Sequence, residues 1–195
     1  MKIGIFGGSF DPLHYGHLIS AQNLMEKLKL HTLFFVPTNN QYMKKKTLLS
    51  PSERIDLIHE AIYDVPGFRV SAVDIIRGGK TYSIDTVRDI KKTYCGENKF
   101  YLLIGSDCLK DLYKWKEYKQ LKKEVTIYPF HRCTIHDLNL SGLDYSGKII
   151  KLPNIEISST DIKKRLKQGK SIRYLVPPNV YEYLMKKMAP SSNSE

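Results

Sequence analysis

Cysteine is scarce in the 195-residue sequence: Cys95, Cys108 and Cys133 are widely spaced and form no CxxC pair. An odd, scattered set supports neither a disulfide framework nor a thiolate zinc site, so these read as reduced thiols. No apolar run approaches the roughly 18 residues of a membrane-spanning helix. Met1 leads straight into a strand-like segment instead of a leader peptide, so the expectation is a cytoplasmic protein with no membrane partner. Acidic residues are also outnumbered, 20 against 31 Lys and Arg, which leaves a formal charge of +11. That excess points to an anionic partner: a nucleic acid, a membrane surface or a phosphorylated small molecule. Aromatic and basic residues are not organised as an RRM, KH or helix-turn-helix pattern, which disfavours a basic nucleic-acid-binding module. There is no GxxxxGK[ST] phosphate loop and no internal repeat.

What is present suits a compact globular chain, with 42% hydrophobic and 26% charged residues. The length allows one well-buried core and not two ordinary ones, so a single domain over residues 1–188 and a polar tail over 189–195 are expected. β-branched runs alternate with amphipathic stretches, the pattern of βα units on a parallel sheet. Strands are predicted at Lys2 to Phe6, Thr32 to Val36, Phe68 to Ile76, Phe100 to Ile104, Val125 to Tyr128 and Ile149 to Leu152. Helices are predicted at Gly16 to Leu28, where Leu18, Ala21, Leu24, Met25 and Leu28 recur at helical spacing, and at Pro51 to Tyr63, with Ile55, Ile58, Ala61 and Ile62 on one face. Further helices are predicted at Ser83 to Tyr94, in one or two short pieces over Leu109 to Leu121, at about Thr160 to Gln168, and at Asn179 to Lys187. His131 to Gly147 is polar and turn-forming and reads as an irregular connection.

The densest chemical signal is Gly7-Gly8-Ser9-Phe10-Asp11-Pro12-Leu13-His14-Tyr15-Gly16-His17, between the first strand and the first helix. In an open α/β sheet, ligands sit beyond the carboxyl end of such a strand. Two glycines admit close approach of backbone amides, and the helix start offers unpaired N–H groups to an anion. His14 and His17, three apart, can face the same anion with Gly16 leaving room between them. Phosphate binding is favoured by these residues. Packing histidines and a metal pair remain the alternatives, the metal least supported because no clear ligand set completes it. At Ser158-Ser159-Thr160-Asp161 a serine with an acid three residues later fits a helix cap, and the helix start is a second place for phosphate.

With those residues in view, GGSFDPLHYGH matches the (H/T)xGH signature of the nucleotidyltransferase superfamily, and Ile157-Ser158-Ser159-Thr160-Asp161-Ile162-Lys163 resembles its second signature, ISSTxIR. The chain up to about Leu184 resembles the bacterial nicotinate mononucleotide adenylyltransferases. Thr81-Tyr82-Ser83-Ile84-Asp85-Thr86, Leu103-Ile104-Gly105-Ser106-Asp107 with Trp115 downstream, and Ser171-Ile172-Arg173-Tyr174-Leu175-Val176-Pro177 support that closer match. The resemblance implies a Rossmann-like open parallel sheet flanked by helices, with a small C-terminal helical region. It implies transfer of AMP from ATP to nicotinate mononucleotide with release of pyrophosphate and no covalent enzyme intermediate. Mg²⁺ would accompany ATP, held largely by substrate oxygens and water.

Roles follow by resemblance, residue by residue. His14 and His17 become catalytic, with His17 foremost for the α-phosphate. Gly7, Gly8, Ser9, Phe10, Gly105, Asp107, Ser159, Thr160 and Lys163 join them on the ATP side, Asp107 accepting the ribose hydroxyls. Lys44, Ser83, Trp115 and Arg132 fall on the acceptor side, with Trp115 against the pyridine ring; a core residue and a helix cap are the plain alternatives for Trp115 and Asp107. The chain departs from the family in several places. Gln41-Tyr42-Met43-Lys44 replaces the usual PPHK run, Ser83 stands for the common Thr, Lys163 replaces Arg and loses its bidentate fork, and Arg132 lacks its usual Pro-Gly sequel. Arg165 is a second candidate for the work of the missing arginine.

Overall fold

A computed structural model describes residues 1–39, 47–131 and 148–189. Six strands form one parallel sheet: β1 (Lys2–Gly8), β2 (Thr32–Pro37), β3 (Phe68–Val70), β4 (Lys99–Gly105), β5 (Thr126–His131) and β6 (Ile150–Lys151). Their order is β3-β2-β1-β4-β5-β6. The helices are α1 (Tyr15–Leu28), α2 (Pro51–Ile62), α3 (Val73–Arg77), α4 (Ser83–Lys92), α5 (Tyr118–Glu124), α6 (Ser159–Lys167) and α7 (Pro178–Met188), and a 3₁₀ helix spans Ser106–Lys114. The predicted α/β class and the parallel sheet are both observed. Among the described residues, no helix is long and apolar enough to cross a membrane.

The sheet has a hydrophobic core on each face because alternate strand residues point to opposite sides. Ile3 and Ile5 belong to one cluster and Phe6 to the other; Leu102 and Ile104 oppose Leu103 in the same way. Helices α1, α2, α6 and α7 cover the Phe6 side with Leu24, Ile58, Ile162 and Leu184, while α4 and α5 cover the Ile3 side with Val87 and Leu121. Both faces are buried, which is why the central strands read as near-continuous apolar runs.

Three expectations are corrected. The strand predicted from Phe68 to Ile76 stops at Val70, and Val73–Arg77 is helical. Helical spacing puts Asp74 and Arg77 on one face, where the buried Asp74 carboxylate takes Arg77 and the Thr86 hydroxyl, the latter at 2.6 Å. The segment after β4 begins earlier than Leu109, as a 3₁₀ helix from Ser106, and resumes as α5. In α2 the inward face is turned by one residue: Arg54, Leu57, Ile58 and Ile62 are buried and Ile55 only partly. The predicted irregular connection after His131 lies outside the described residues, as do 190–195 of the tail.

Helix α7 docks on α2 through Glu53. Glu53 and Ser50 cap the start of α2 reciprocally, the Ser50 N–H donating to the carboxylate and the Glu53 N–H to Ser50 Oγ at 3.2 Å. The same carboxylate takes the Tyr183 hydroxyl and the Lys187 ammonium. The Lys187 bond, followed by the Tyr183 bond, holds the Glu53 carboxyl down at about 2, from an ordinary 4.5. A carboxyl depressed on folding stabilises the fold above its unfolded pKa and loses that contribution as pH falls through the folded one. Denaturant unfolding of Glu53→Gln is therefore expected to lose part of the parent's pH dependence between about 4.5 and about 2; identical profiles would refute the docking role.

Candidate active site

β1 and β4 are hydrogen-bonded neighbours, and the chain leaves them in opposite directions, from β1 through α1 to β2 and from β4 through the 3₁₀ helix to β5. A crevice for ligand opens at such a switch point, beyond the carboxyl ends of the strands. Gly7 and Gly8 end β1, and Gly105 ends β4. A β-carbon added at Gly7 would meet open space among the described residues. Across the crevice Asp107 is exposed, and its Oδ1 lies 2.3 Å from where a β-carbon on Gly105 would be. Glycine is needed there for the carboxylate to fold back over the strand end. Asp107 stands in the first turn of the 3₁₀ helix, whose N-cap is Gly105, with its side chain exposed and open to a ligand.

The turn after β1 is held open by aromatic packing. Phe10 adopts a left-handed backbone, φ 48°, a strain of order 1–3 kcal/mol for a residue other than glycine. Its ring is buried edge-on against Phe6 at 5.6 Å and against the His17 ring at 4.9 Å, so core burial fixes the strained turn. His14 takes the N-cap position of α1, and its N–H donates to Nδ1 of His17 at 3.3 Å. With Nδ1 accepting, the proton of a neutral His17 ring sits on Nε2, which becomes a donor. The two imidazoles stack at 3.6 Å. The space expected beside Gly16 is taken by protein: a β-carbon there would lie 3.0 Å from His14 Nδ1 and 3.3 Å from the Ile157 carbonyl oxygen. Gly16 thus serves the approach of the two signature segments.

That approach is bonded at several points. The Ser159 hydroxyl donates to the Pro12 carbonyl at 3.0 Å, and the Tyr15 N–H, donating to Leu175 O at 3.1 Å, ties the first signature to the Ser171–Pro177 segment as well. Ser158, not Ser159, caps α6, its hydroxyl accepting from Asp161 N–H at 3.0 Å. Thr160 is exposed in the first turn. Lys163 Nζ reaches the Asp11 carboxylate at 3.0 Å. Arg165 does not share that place; its fork donates to the Ser171 carbonyl at 3.0 and 2.9 Å and closes the turn after α6. Asp11 is 2% exposed and also accepts from Leu48 and Leu49 N–H at 3.0 and 2.9 Å.

The third wall comes from α4 and the segment before it. The Asn39 N–H donates to Thr81 Oγ1 at 3.1 Å, tying the end of β2 to the residues before Ser83, the first residue of α4. Lys116 pairs with Asp85 at 2.9 Å and lies 4.8 Å from the Tyr82 ring centre, which brings the segment of its neighbour Trp115 against the same helix start. Trp115 is partly buried on the Ile3-side core and partly open. Lys44 and Arg132 lie outside the described residues.

Three features of the site escaped sequence reasoning. Ser106 Oγ and His131 Nδ1 are 2.6 Å apart and join the ends of β4 and β5; Ser106 reads only as part of a motif, and nothing in the sequence pairs it with His131. Arg54 lies buried beneath the turn, flagged only by a charge within the apolar stripe of α2. Asp11, noted simply as part of the motif, joins three segments. Burial, ahead of the neighbouring acids, pushes the Cys108 thiol up to about 11, so it stays protonated at neutral pH and supplies no nucleophile.

Comparison with known proteins shows the family and the fold. Residues 5–165 fit the cytidylyltransferase-like family model. A protein of Exiguobacterium sibiricum named probable nicotinate-nucleotide adenylyltransferase is 38% identical over 184 residues, covering 94% of this chain and 96% of its own. One of the same name from Dictyoglomus turgidum is 38% identical over 191 residues, covering 95% and 94%. The fold is also that of Plasmodium falciparum nicotinic acid mononucleotide adenylyltransferase in complex with NaAD, with a TM-score of 0.76, 20% identity and 96% of each chain covered. Matched over most of its length by the family model and by these relatives, the chain belongs to the cytidylyltransferase-like family, among its nicotinate-nucleotide adenylyltransferases.

Proposed function

We propose that the chain transfers AMP from ATP to nicotinate mononucleotide, giving nicotinate adenine dinucleotide and pyrophosphate in NAD biosynthesis. The observation that carries this reading is the bonding of the Gly7–His17 turn to the Ser158–Lys163 segment at the β1/β4 switch point, in a chain whose relatives bear that enzyme's name. We take residues 1–188 as the catalytic domain, and the cytoplasm as its place.

The chemistry asks for positioned donors more than for a nucleophile. An acceptor phosphate oxygen attacks the α-phosphorus of ATP, and pyrophosphate leaves. Negative charge spreads over the pentavalent α-phosphate, and donors fixed before the reaction stabilise it without reorganising. His17, with its Nδ1 engaged by the His14 N–H, would offer Nε2–H to the α-phosphate. His14, Ser9, Phe10, Gly7 and Gly8 would line the phosphate path, Gly105 and Asp107 the adenosine, and Ser159, Thr160 and Lys163 the departing phosphates. On the acceptor side Ser83 and Trp115 would receive the pyridine, and Lys44 and Arg132 the phosphate. Mg²⁺ would arrive on the triphosphate as part of the substrate. Among the described residues no set of three His, Cys, Asp or Glu side chains could hold a metal, and both Asp11 oxygens are engaged by backbone N–H groups and Lys163.

Purified protein with ATP, Mg²⁺ and nicotinate mononucleotide should release dinucleotide and pyrophosphate in equal amounts, and less of both with nicotinamide mononucleotide; no product from either acceptor would sink the proposal. Replacing His17 with Ala should lower kcat by about 10²–10³, as loss of a transition-state donor does, with the acceptor KM little changed. An unchanged kcat would remove His17 from catalysis. Trp115→Ala should raise the acceptor KM while keeping a cooperative melt; loss of that melt would make Trp115 a core residue instead.

A further inference from the structure

Arg54 is 1% exposed and lies in the apolar stripe of α2, beside Leu57 and Ile58. An unpaired charge is rarely buried, because desolvation is costly unless hydrogen bonds offset it. No carboxylate forms an ion pair with Arg54 among the described residues; Asp11 acts on it only through space, and its own oxygens are taken by Leu48, Leu49 and Lys163. Burial correspondingly lowers the Arg54 pKa from its usual value, against the opposing pull of Asp11. Arg54 Nε is buried and has no hydrogen-bond partner among the described residues. What the guanidinium does hold is backbone: Nη1 donates to the Ser9 carbonyl at 2.9 Å and to the Thr38 carbonyl at 2.7 Å.

Those two carbonyls stand at the ends of β1 and β2, which are themselves joined there by Thr38 N–H to Gly8 O at 2.9 Å. In a trans peptide the C=O and the following N–H point in opposite directions. A Ser9 carbonyl drawn down to Arg54 therefore turns the Phe10 N–H away from it, out of the glycine-rich turn. The Thr38 carbonyl does the same for the Asn39 N–H, which on that far side meets Thr81 Oγ1 at 3.1 Å. One buried cation thus sets two peptide planes, one in the turn proposed for phosphate and one leading to the acceptor wall. With Lys163, it also leaves two positive charges sharing the single Asp11 carboxylate beneath that turn.

We propose that Arg54 is a positioning residue for nucleotide phosphates: it orients the Phe10 amide and the Asn39–Thr81 link, and supplies uncompensated positive charge below the glycine-rich turn, beside the Lys163 segment proposed for the departing pyrophosphate. This rests on the proposed function but concerns a residue that never touches the reacting atoms. A residue needed only for folding would alter the melting temperature and leave the affinity of the folded protein intact.

The test compares the full-length parent with Arg54→Met, which fills the space without charge or donors, and Arg54→Lys, which keeps the charge without the fork. Binding of inorganic pyrophosphate is measured by calorimetry, together with kcat, at a temperature where each variant is folded by its cooperative melt. Arg54→Met is expected to weaken pyrophosphate binding by about tenfold or more and to lower kcat, and Arg54→Lys to fall between it and the parent. A folded Arg54→Met with affinity and kcat within about twofold of the parent, a difference too small for a lost charged donor, overturns the proposal. Where the variants do not fold, nitrogen-15 spectra of the parent decide: saturating pyrophosphate should shift the Phe10 amide and the Arg54 Nε–H, and no shift in either overturns it. A parent that forms no dinucleotide and binds no pyrophosphate would instead break the proposed function itself.

Discussion

The Asp11 carboxylate is the fastening on which the site depends. A carboxylate at 2% exposure is tolerable only if its charge and its lone pairs are answered. Here they are answered by backbone N–H groups of Leu48 and Leu49 and by Lys163 Nζ. These partners are 37, 38 and 152 residues away in the chain, so folding must bring the turn after β1, the residues before α2 and the carboxyl-terminal helix α6 together before the charge can be buried. The constraint also works in reverse. Once Asp11 is buried, none of the three segments can move far without stranding a charge in the interior, a penalty larger than one new hydrogen bond elsewhere could offset.

The aromatic core supplies the rigidity this fastening needs. Phe6 packs against Phe10, Phe35 and Phe130 with ring centres 5.6 to 5.7 Å apart, so the strained Phe10 backbone is carried by side chains from three strands. The same Phe10 ring abuts His17, and the His14 N–H fixes which nitrogen of His17 keeps its proton. A reaction whose barrier is lowered by donors already in place benefits from such a turn, whereas a turn free to relax would divert binding energy into ordering itself.

Much of this was legible in the sequence, for identifiable reasons. The parallel sheet follows from period and composition, and α1 from Ala21 and Leu24 at helical spacing. The glycine-rich turn after β1 and the α6 cap are local patterns, and local patterns can be read from a single chain. Errors arose where a distant partner decided. Val73–Arg77 resembles a strand until Thr86 and Arg77 meet Asp74, and the face of α2 is set by carbonyls of Ser9 and Thr38 that accept Arg54. Ser159 reads as a phosphate ligand at a helix start, and only the fold shows that its hydroxyl also donates to the Pro12 carbonyl. The resemblance to known enzymes assigns roles to residues one by one; it could not show that Lys163 rests on Asp11, because that contact is a property of the fold.

The net charge of +11 was the weakest guide to function, and the structure explains why. Many cations are engaged in architecture: Arg77 bridges Asp74 and Asp89, Arg88 bridges Glu117 and Glu124, Lys116 holds Asp85, and Lys187 holds Glu53. Charges neutralised in pairs at the surface, screened by water and salt, contribute little field at the crevice. The field proposed for a phosphate there comes instead from a buried guanidinium that pairs with no carboxylate among the described residues and from oriented backbone N–H groups, and only the first of these is counted in a formal charge. A protein that binds anions this way need not be basic overall. The excess of lysine on its surface is then a separate property, and counting it says little about where the substrate phosphates go.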